Sequence, residues 1–340
     1  MTDTSSDVSF YVILDSNIWR SENFLQSAMG SALLYAVSAG KAAIVLPEIV
    51  ELEVNNVMYE NAKTTIAEIQ RKIAQLGRLP GDLNRLMTFV APDPSAVEAG
   101  VKARWEQLHG VITRVGFTYT HARQALDRIL AKRSPSGQNN EQFRDCCIWE
   151  VTLEMARDHP VHLITNDSAF YVNRDSARSL EEEANQSSLS INLYRDIAHF
   201  LSGMKETIST LGEAKLASQI VIAVVPLITE TIKRINAGGR YNFVVANPSI
   251  PQIQGFSTPK PNILAVSFKV SFGLQNLIPE GSDATLTIEG TCAYDAQNND
   301  GVSEIEIDIW RLRINGYQHS WSGTSWQEPG KLESMFSHVE

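Results

Sequence analysis

Short unbroken apolar runs alternate with longer stretches of helical periodicity over the first part of the chain. Phe10-Tyr-Val-Ile-Leu14 ends in Asp15, Ala42–Leu46 stops at Pro47, Val161–Thr165 runs into Asn166-Asp167, and Leu189–Tyr194 closes the series. Runs this short without alternation suit strands buried on both faces. Between them the spacing predicts helices over Glu22–Ser38, from Glu48 into the Gln70s, and over Pro80–Val90, Ser95–His109 and Thr118–Arg133. Further helices are expected from Phe143 to about Arg157, over Ser176–Asn185, and just before Leu201. Pro92, Pro94, Gly110 and Gly116 break the pattern, and Ser134–Asn140 reads as a loop. Strands alternating with helices imply right-handed crossovers and a parallel sheet covered on both sides. The expectation is an α/β, three-layer domain over 1–203 with a helical insertion at about 57–140. Ligands of such sheets bind beyond the carboxyl ends of the strands, where Asp15 and Asp167 fall.

After Met204 the texture changes. A helical pattern runs to Asn236 and is closed by Gly238-Gly239. Asn262–Gln275, Asp283–Tyr294 and Val302–Ile314 then show β-branched residues in partial alternation, punctuated by turn signals at Pro279–Ser282 and Asp300-Gly301. Residues 204–340 are therefore expected to form a second, α+β domain: a long helix and a small antiparallel sheet.

Charge refines this picture. The net charge of −10 argues against a protein coated for nucleic acid, but the charge is unevenly spread. Between Val57 and Asn140 there are 12 lysines and arginines against 7 acids, whereas Met204–Glu340 has 10 against 14. A polyanion would be held by the middle of the chain. Such an excess also suits the solvated faces of several helices. Met1–Ser9 is polar and the run after it is too short for a signal core. Ile220–Ile228, the most apolar later stretch, is too short to span a bilayer. Three cysteines, Cys146, Cys147 and Cys292, form neither a paired framework nor a metal pattern. A reducing, cytoplasmic setting is expected, with no membrane.

Four segments place acids where a strand end or helix start would carry them: Leu14-Asp15-Ser-Asn17, Pro47-Glu-Ile-Val-Glu-Leu-Glu53, Arg144-Asp145 and Thr165-Asn-Asp167. Singly, Asp15 and Asp145 equally suit helix N-caps and Asp167 an ordinary turn. A haloacid-dehalogenase-type phosphatase would need a second Asp where Asn17 stands, and no GxxxxGK[ST] or GxGxxG phosphate loop is present.

Taken in order over about residues 10–203, the four segments resemble the signature of the PIN-domain nucleases, and the long middle region looks like the larger bacterial PIN-like proteins. The resemblance implies a metal-dependent endoribonuclease that hydrolyses phosphodiester bonds of single-stranded RNA, with single-stranded DNA as an alternative substrate. Asp15, Asp145 and Asp167 would be metal ligands, joined by an acid on the second helix. Glu48, Glu51 and Glu53 all compete for that role, and family spacing after the proline favours Glu53. Asn17 would orient Asp15 or cap the following helix, and Thr165 would position a ligand or phosphate. Mg²⁺ or Mn²⁺ suits an all-oxygen site, because carboxylates crowded without a cation repel one another.

Lys132, Arg133 and Arg144 flank the Ser134–Asn140 loop and are candidate contacts to the RNA backbone. Trp105, Phe143 and Trp149 lie in apolar helical patterns and are expected in the core rather than stacked on bases. The rival class is a binding module, a PIN fold without catalysis that serves as a scaffold or RNA platform. The acidic C-terminal domain is expected to mediate homo-oligomerisation or to receive an inhibitory protein partner.

Overall fold

The computed structural model describes residues 8–76, 92, 94–137, 142–172, 175–176, 178–204, 213–239, 241–277, 280–296 and 301–322. The helix expected over Pro80–Val90 lies outside the described residues, as do parts of the expected loop at 134–140 and of both C-terminal turns. By its contacts the chain divides into two units: Met1–Phe24 with Val37–Phe200, and Leu25–Ala36 with Leu201–Glu340.

The first unit is built on a five-stranded parallel sheet. Its strands are β1 (Tyr11–Leu14), β2 (Ala43–Pro47), β3 (Ile112–Val115), β4 (Val161–Ile164) and β7 (Ile191–Tyr194), in the order β3-β2-β1-β4-β7. The interleaved helices are α1 (Ser16–Ser21), α3 (Glu48–Leu76), α4 (Pro94–Gln107), α5 (Tyr119–Leu130), α6 (Phe143–Met155), α7 (Arg178–Gln186) and α8 (Ile197–Gly203). A two-stranded ribbon, β5 (Tyr171–Val172) with β6 (Asp175–Ser176), lies between β4 and α7. The central strands are buried as their composition requires: Val12, Ile13, Leu14, Ile44, Val45, Leu46, Val161, Leu163 and Ile164 are closed to solvent. Each such side chain contributes roughly 1.5–3 kcal/mol by leaving water.

One expectation fails here. The region 57–140 is not wholly helical, because Ile112-Thr-Arg-Val115 pairs in parallel with β2, register Ile44↔Ile112 to Pro47↔Val115. β3 is an edge strand with Thr113 and Arg114 exposed, so it lacks the apolar run that marks a strand buried on both faces. Its discovery moves the loop after Val115 to the carboxyl edge of the sheet.

The second unit is a six-stranded antiparallel sheet. Its strands are β8 (Phe243–Pro248), β9 (Gln252–Ser257), β10 (Ile263–Leu277), β11 (Glu280–Asp295), β12 (Val302–Ile314) and β13 (Tyr317–Ser322). It is larger than the sequence pattern suggests, since β8, β9 and β13 add to the three long strands. Helix α9 (Glu213–Ala237) carries Leu216, Ile220, Val224, Ile228, Ile232 and Ile235 at i, i+4 spacing with a last step of three. That stripe is buried in one cluster with Phe268, Val270, Phe272, Leu286, Ile288 and Leu312 of the sheet. Among the described residues α9 alone is long and apolar enough, over Ala214–Ala237, to cross a membrane. Its buried stripe makes it the core helix of this unit. Gly290 sits where β11 bulges against β12, and a Cβ there would stand 2.2 Å from the Glu306 carbonyl oxygen, so only glycine fits. Helix α2 (Ala28–Ala39) begins within Leu25–Ala36 and ends beyond it.

Candidate active site at the carboxyl edge of the parallel sheet

Because β1, β2, β3 and β4 run parallel, the residues after each strand collect along one edge. Asp15 leaves β1 with its backbone N–H bonded to the Ile164 carbonyl of β4 at 3.0 Å, which sets it beside Thr165. The Asp15 carboxylate is only 4% exposed, and three donors fix it. Oδ1 accepts from the Ser16 N–H at 2.6 Å, and Oδ2 accepts from the Thr165 hydroxyl at 2.7 Å and the Asn17 amide at 3.0 Å. Asp15 therefore caps α1 and, through the same carboxylate, bonds to the residue after β4. Thr165 in turn accepts the Asp167 N–H at 3.1 Å, so a single buried hydroxyl ties together the two acids that follow β1 and β4. Asp167 caps the single 3-10 turn Ser168–Phe170 through Oδ1, 2.8 Å from the Ala169 N–H.

Asp145 does not cap its helix. The N-cap of α6 is Gln142, without a side-chain bond, and Asp145 stands one turn in, where the helix dipole favours a negative charge. Glu48, Glu51 and Glu53 separate cleanly. Glu48 Oε2 accepts the Phe117 N–H at 2.6 Å, and Glu51 takes a forked contact from Arg114 at 3.1–3.3 Å. Glu51 thus fastens β3, and Glu48 the loop after it, to the start of α3. Glu53 turns instead toward the remaining acids and accepts from Arg144.

The electrostatics mark the same four residues. Burial pushes the Asp15 carboxyl above its usual range; the Thr165 and Ser16 hydrogen bonds pull it back, and the charges of Asp167 and Glu53 push it up further. Asp145 is raised to about 7, first by burial and then by Asp15 and Asp167, with Arg144 offsetting part of this. Glu48 and Glu51 are not among the acids that act on either group.

These acids share a field rather than a finished coordination shell. Among the described residues no group of three or more His, Cys, Asp or Glu is already arranged to hold a metal ion. The reason is visible in the contacts: both Asp15 oxygens are engaged by donors, and Glu53 is turned onto Arg144. The chemistry of the donors nonetheless fits a hard divalent cation: they are all oxygen, and two are lifted by burial and then by neighbouring negative charge. In addition, Asn17 gives its amide N–H to Asp15 and leaves its buried Oδ1 without a hydrogen-bond partner.

The remaining sequence candidates divide. Arg144 lies at the acids, with its side chain 61% exposed, and is engaged with one of them. Arg133 instead faces Glu183 at 3.9 Å, and Lys132 is exposed at the end of α5. No described contact joins either of them to the four acids. Trp105 and Trp149 are core residues, as expected, but Phe143 is 38% exposed and the core expectation fails for it. Burial along α6 begins only at Cys146, and Phe143 in the first turn faces outward.

The sequence reading missed Arg195. It follows β7 at the same edge, its guanidinium lies 4.4 Å from the Tyr171 ring centroid, and its buried Nη2 has no hydrogen-bond partner. The Tyr171 hydroxyl donates to the Thr165 carbonyl at 2.9 Å, which links Arg195 to the acids. A lone arginine after a short strand gives no sequence signal; only the parallel pairing of β4 and β7 places it.

No curated protein matches the chain. Residues 12–170 match the family model of the PIN domain, a span that contains all four acids. Parallel sheet, acid-bearing edge and family match agree: over residues 12–170 this chain is similar to the PIN domain.

Proposed function

We propose that the chain is a metal-dependent endoribonuclease that hydrolyses single-stranded RNA at the carboxyl edge of its parallel sheet. The observation that carries this reading is the convergence of Asp15, Glu53, Asp145 and Asp167 in one electrostatic field without enough cationic charge to balance it. Elsewhere in the same unit buried acids are matched by arginine, so an unmatched set costs stability and calls for a use.

In this reading the four carboxylates hold Mg²⁺ or Mn²⁺, which supplies charge neutralisation and activation of water for in-line attack on a phosphodiester. The protein's own contribution is placement. Asp15 is held rigid by Ser16, Asn17 and Thr165, and Thr165 fixes the backbone of Asp167 relative to it. Arg144 and Arg195 bring positive charge to the two sides of the acids, where the phosphates of a bound strand would pass.

A second reading keeps the fold as a scaffold without catalysis. The Arg144–Glu53 pair favours it, because an arginine partly balances the cluster without any metal. One experiment separates the two. Wild type and Asp15→Asn are incubated with labelled single-stranded RNA in Mn²⁺ and in EDTA, and each is melted with and without Mn²⁺. The nuclease reading expects cleavage by the wild type in Mn²⁺ only, falling by on the order of 10³-fold in the variant. Cleavage that survives EDTA and the substitution, or no cleavage and no Mn²⁺-induced rise in melting temperature, sinks it.

A further inference from the structure

Two aromatic rings stand beside the acids that the acid cluster itself does not require. Phe117, in the loop after β3, is 41% exposed, and Phe143, in the first turn of α6, is 38% exposed. Their ring centroids lie 6.5 Å apart with the planes at 75°. A solitary exposed aromatic is ordinary, but two that meet at a functional edge are a built feature. Phe117 also has His121 at 6.5 Å and 41°, while the edge-to-face pair covers at most one face of one ring, so a ring face remains able to receive a flat partner.

Both rings are braced from behind. The Phe117 N–H is held by Glu48, the preceding Arg114 by Glu51, and Thr118 with His121 forms the capping box that starts α5. Phe143 sits two residues before Asp145, and Arg144 lies between them with its guanidinium on Glu53. β3 is two strands from β1 in the sheet order. The loop bearing Phe117 is therefore about 10 Å from Asp15 along the edge. Phe117 also lies within the stretch with 12 lysines and arginines against 7 acids, and Phe143 lies just beyond it.

We propose that Phe117 and Phe143 form a stacking platform for an unpaired nucleobase, which holds a single strand across the carboxyl edge with its phosphates passing Arg144 toward the acids. The inference rests on the nuclease reading of those acids and adds how the substrate is chosen. A base inside a duplex already has both faces stacked, so a platform of this kind selects single strands, and it tolerates any base because each has a π-face. Phe117 also precedes the N-cap Thr118, a place where an apolar side chain helps set the entry of a helix. Leucine, which keeps the apolar bulk and loses the ring, is therefore the informative replacement.

The test is binding of a fluorescein-labelled 2′-O-methyl oligouridylate, and of a duplex of the same length, by fluorescence anisotropy in millimolar Mg²⁺. Phe117→Leu and Phe143→Leu are each expected to weaken single-strand binding about 5-fold or more, with duplex binding and melting temperature unchanged. Phe143→Trp reports the contact directly: its added fluorescence is expected to be quenched by the single strand and not by the duplex. Unchanged single-strand affinity in both leucine variants, equal losses for the two probes, or tryptophan emission indifferent to the strand overturns the platform. Cleavage of unmodified RNA is scored separately. Stacking without cleavage removes the nuclease reading alone, and cleavage with unaltered affinity in the leucine variants removes the platform alone.

Discussion

Two of the acids on helix α6, Glu150 and Asp145, five residues apart, have opposite character. Glu150 belongs to a group that is complete in itself. The Arg128 side chain, 2% exposed, places its guanidinium on Glu150 at 2.7–2.9 Å, on Glu183 at 2.8 Å and on the Ser134 carbonyl at 2.8 Å. Trp149 Nε1 adds a bond to Glu183. Burial pushes the Glu183 carboxyl up, but its hydrogen bonds and charge contact with Arg128 outweigh that and hold it below the usual range. Asp145 belongs to a group that lacks such a partner and is driven up to about 7. In the second unit Glu289 repeats the first pattern: burial raises it, and Arg311 and Lys269 more than reverse the effect. Both of these structural groups are matched by cations from the chain. The four acids at the sheet edge are matched only in part, by Arg144, and the nuclease reading rests on that shortfall.

The largest effect should come from breaking the clamp. Arg128→Met leaves a buried carboxylate and a half-buried one facing each other without that cation, and urea unfolding should show a loss of about 3–5 kcal/mol. A change below about 1 kcal/mol would mean that Glu150 and Glu183 find other partners, and the contrast with the edge acids would lose its force.

A smaller effect is expected from loosening the site without removing an acid. Thr165→Val deletes the hydroxyl that joins Asp15 to the Asp167 backbone and keeps its shape in the core. Cleavage or Mn²⁺ affinity should fall about 10–100-fold, as for residues that orient metal ligands. Equal activity would show that Asp15 is held well enough by Ser16 and Asn17 alone.

The smallest effect is in the pH dependence of stability. Asp145 titrates near 7 in the folded protein, well above its unfolded value. Its protonated form is the one folding favours, so its contribution is fully present below about pH 4 and is lost as pH rises through about 7. In metal-free protein, Asp145→Asn should therefore raise the melting temperature by a few degrees at about pH 8 and by little at about pH 5. A difference between variant and wild type that does not grow with pH would mean that Asp145 is already ionised and balanced.

Much of this was legible along the chain. Four of the five parallel strands announce themselves as short apolar runs, and Asp15 and Asp167 follow two of them directly. The long β10, β11 and β12 show their alternation. What stayed hidden shares one cause. β3, β8, β9 and β13 are short, and β3 has exposed central residues, so their stability as strands comes from the neighbour each pairs with. Local sequence does not contain that neighbour. Arg195 and Phe117 went unread for the same reason, since each becomes part of the site only through its strand's place in the sheet.

The sequence alone determined the alternation of elements, the burial of the central strands and the acids that follow β1 and β4, because hydrophobic periodicity and strand-terminal residues are local properties. Tertiary structure decided the rest: that Glu53 rather than Glu48 or Glu51 shares the field of Asp15 and Asp145, that Arg144 answers Glu53, and that Phe143 faces water. Those outcomes depend on which charges stand a few ångströms apart after folding. Coulomb interaction and desolvation act through space, without regard to distance along the chain.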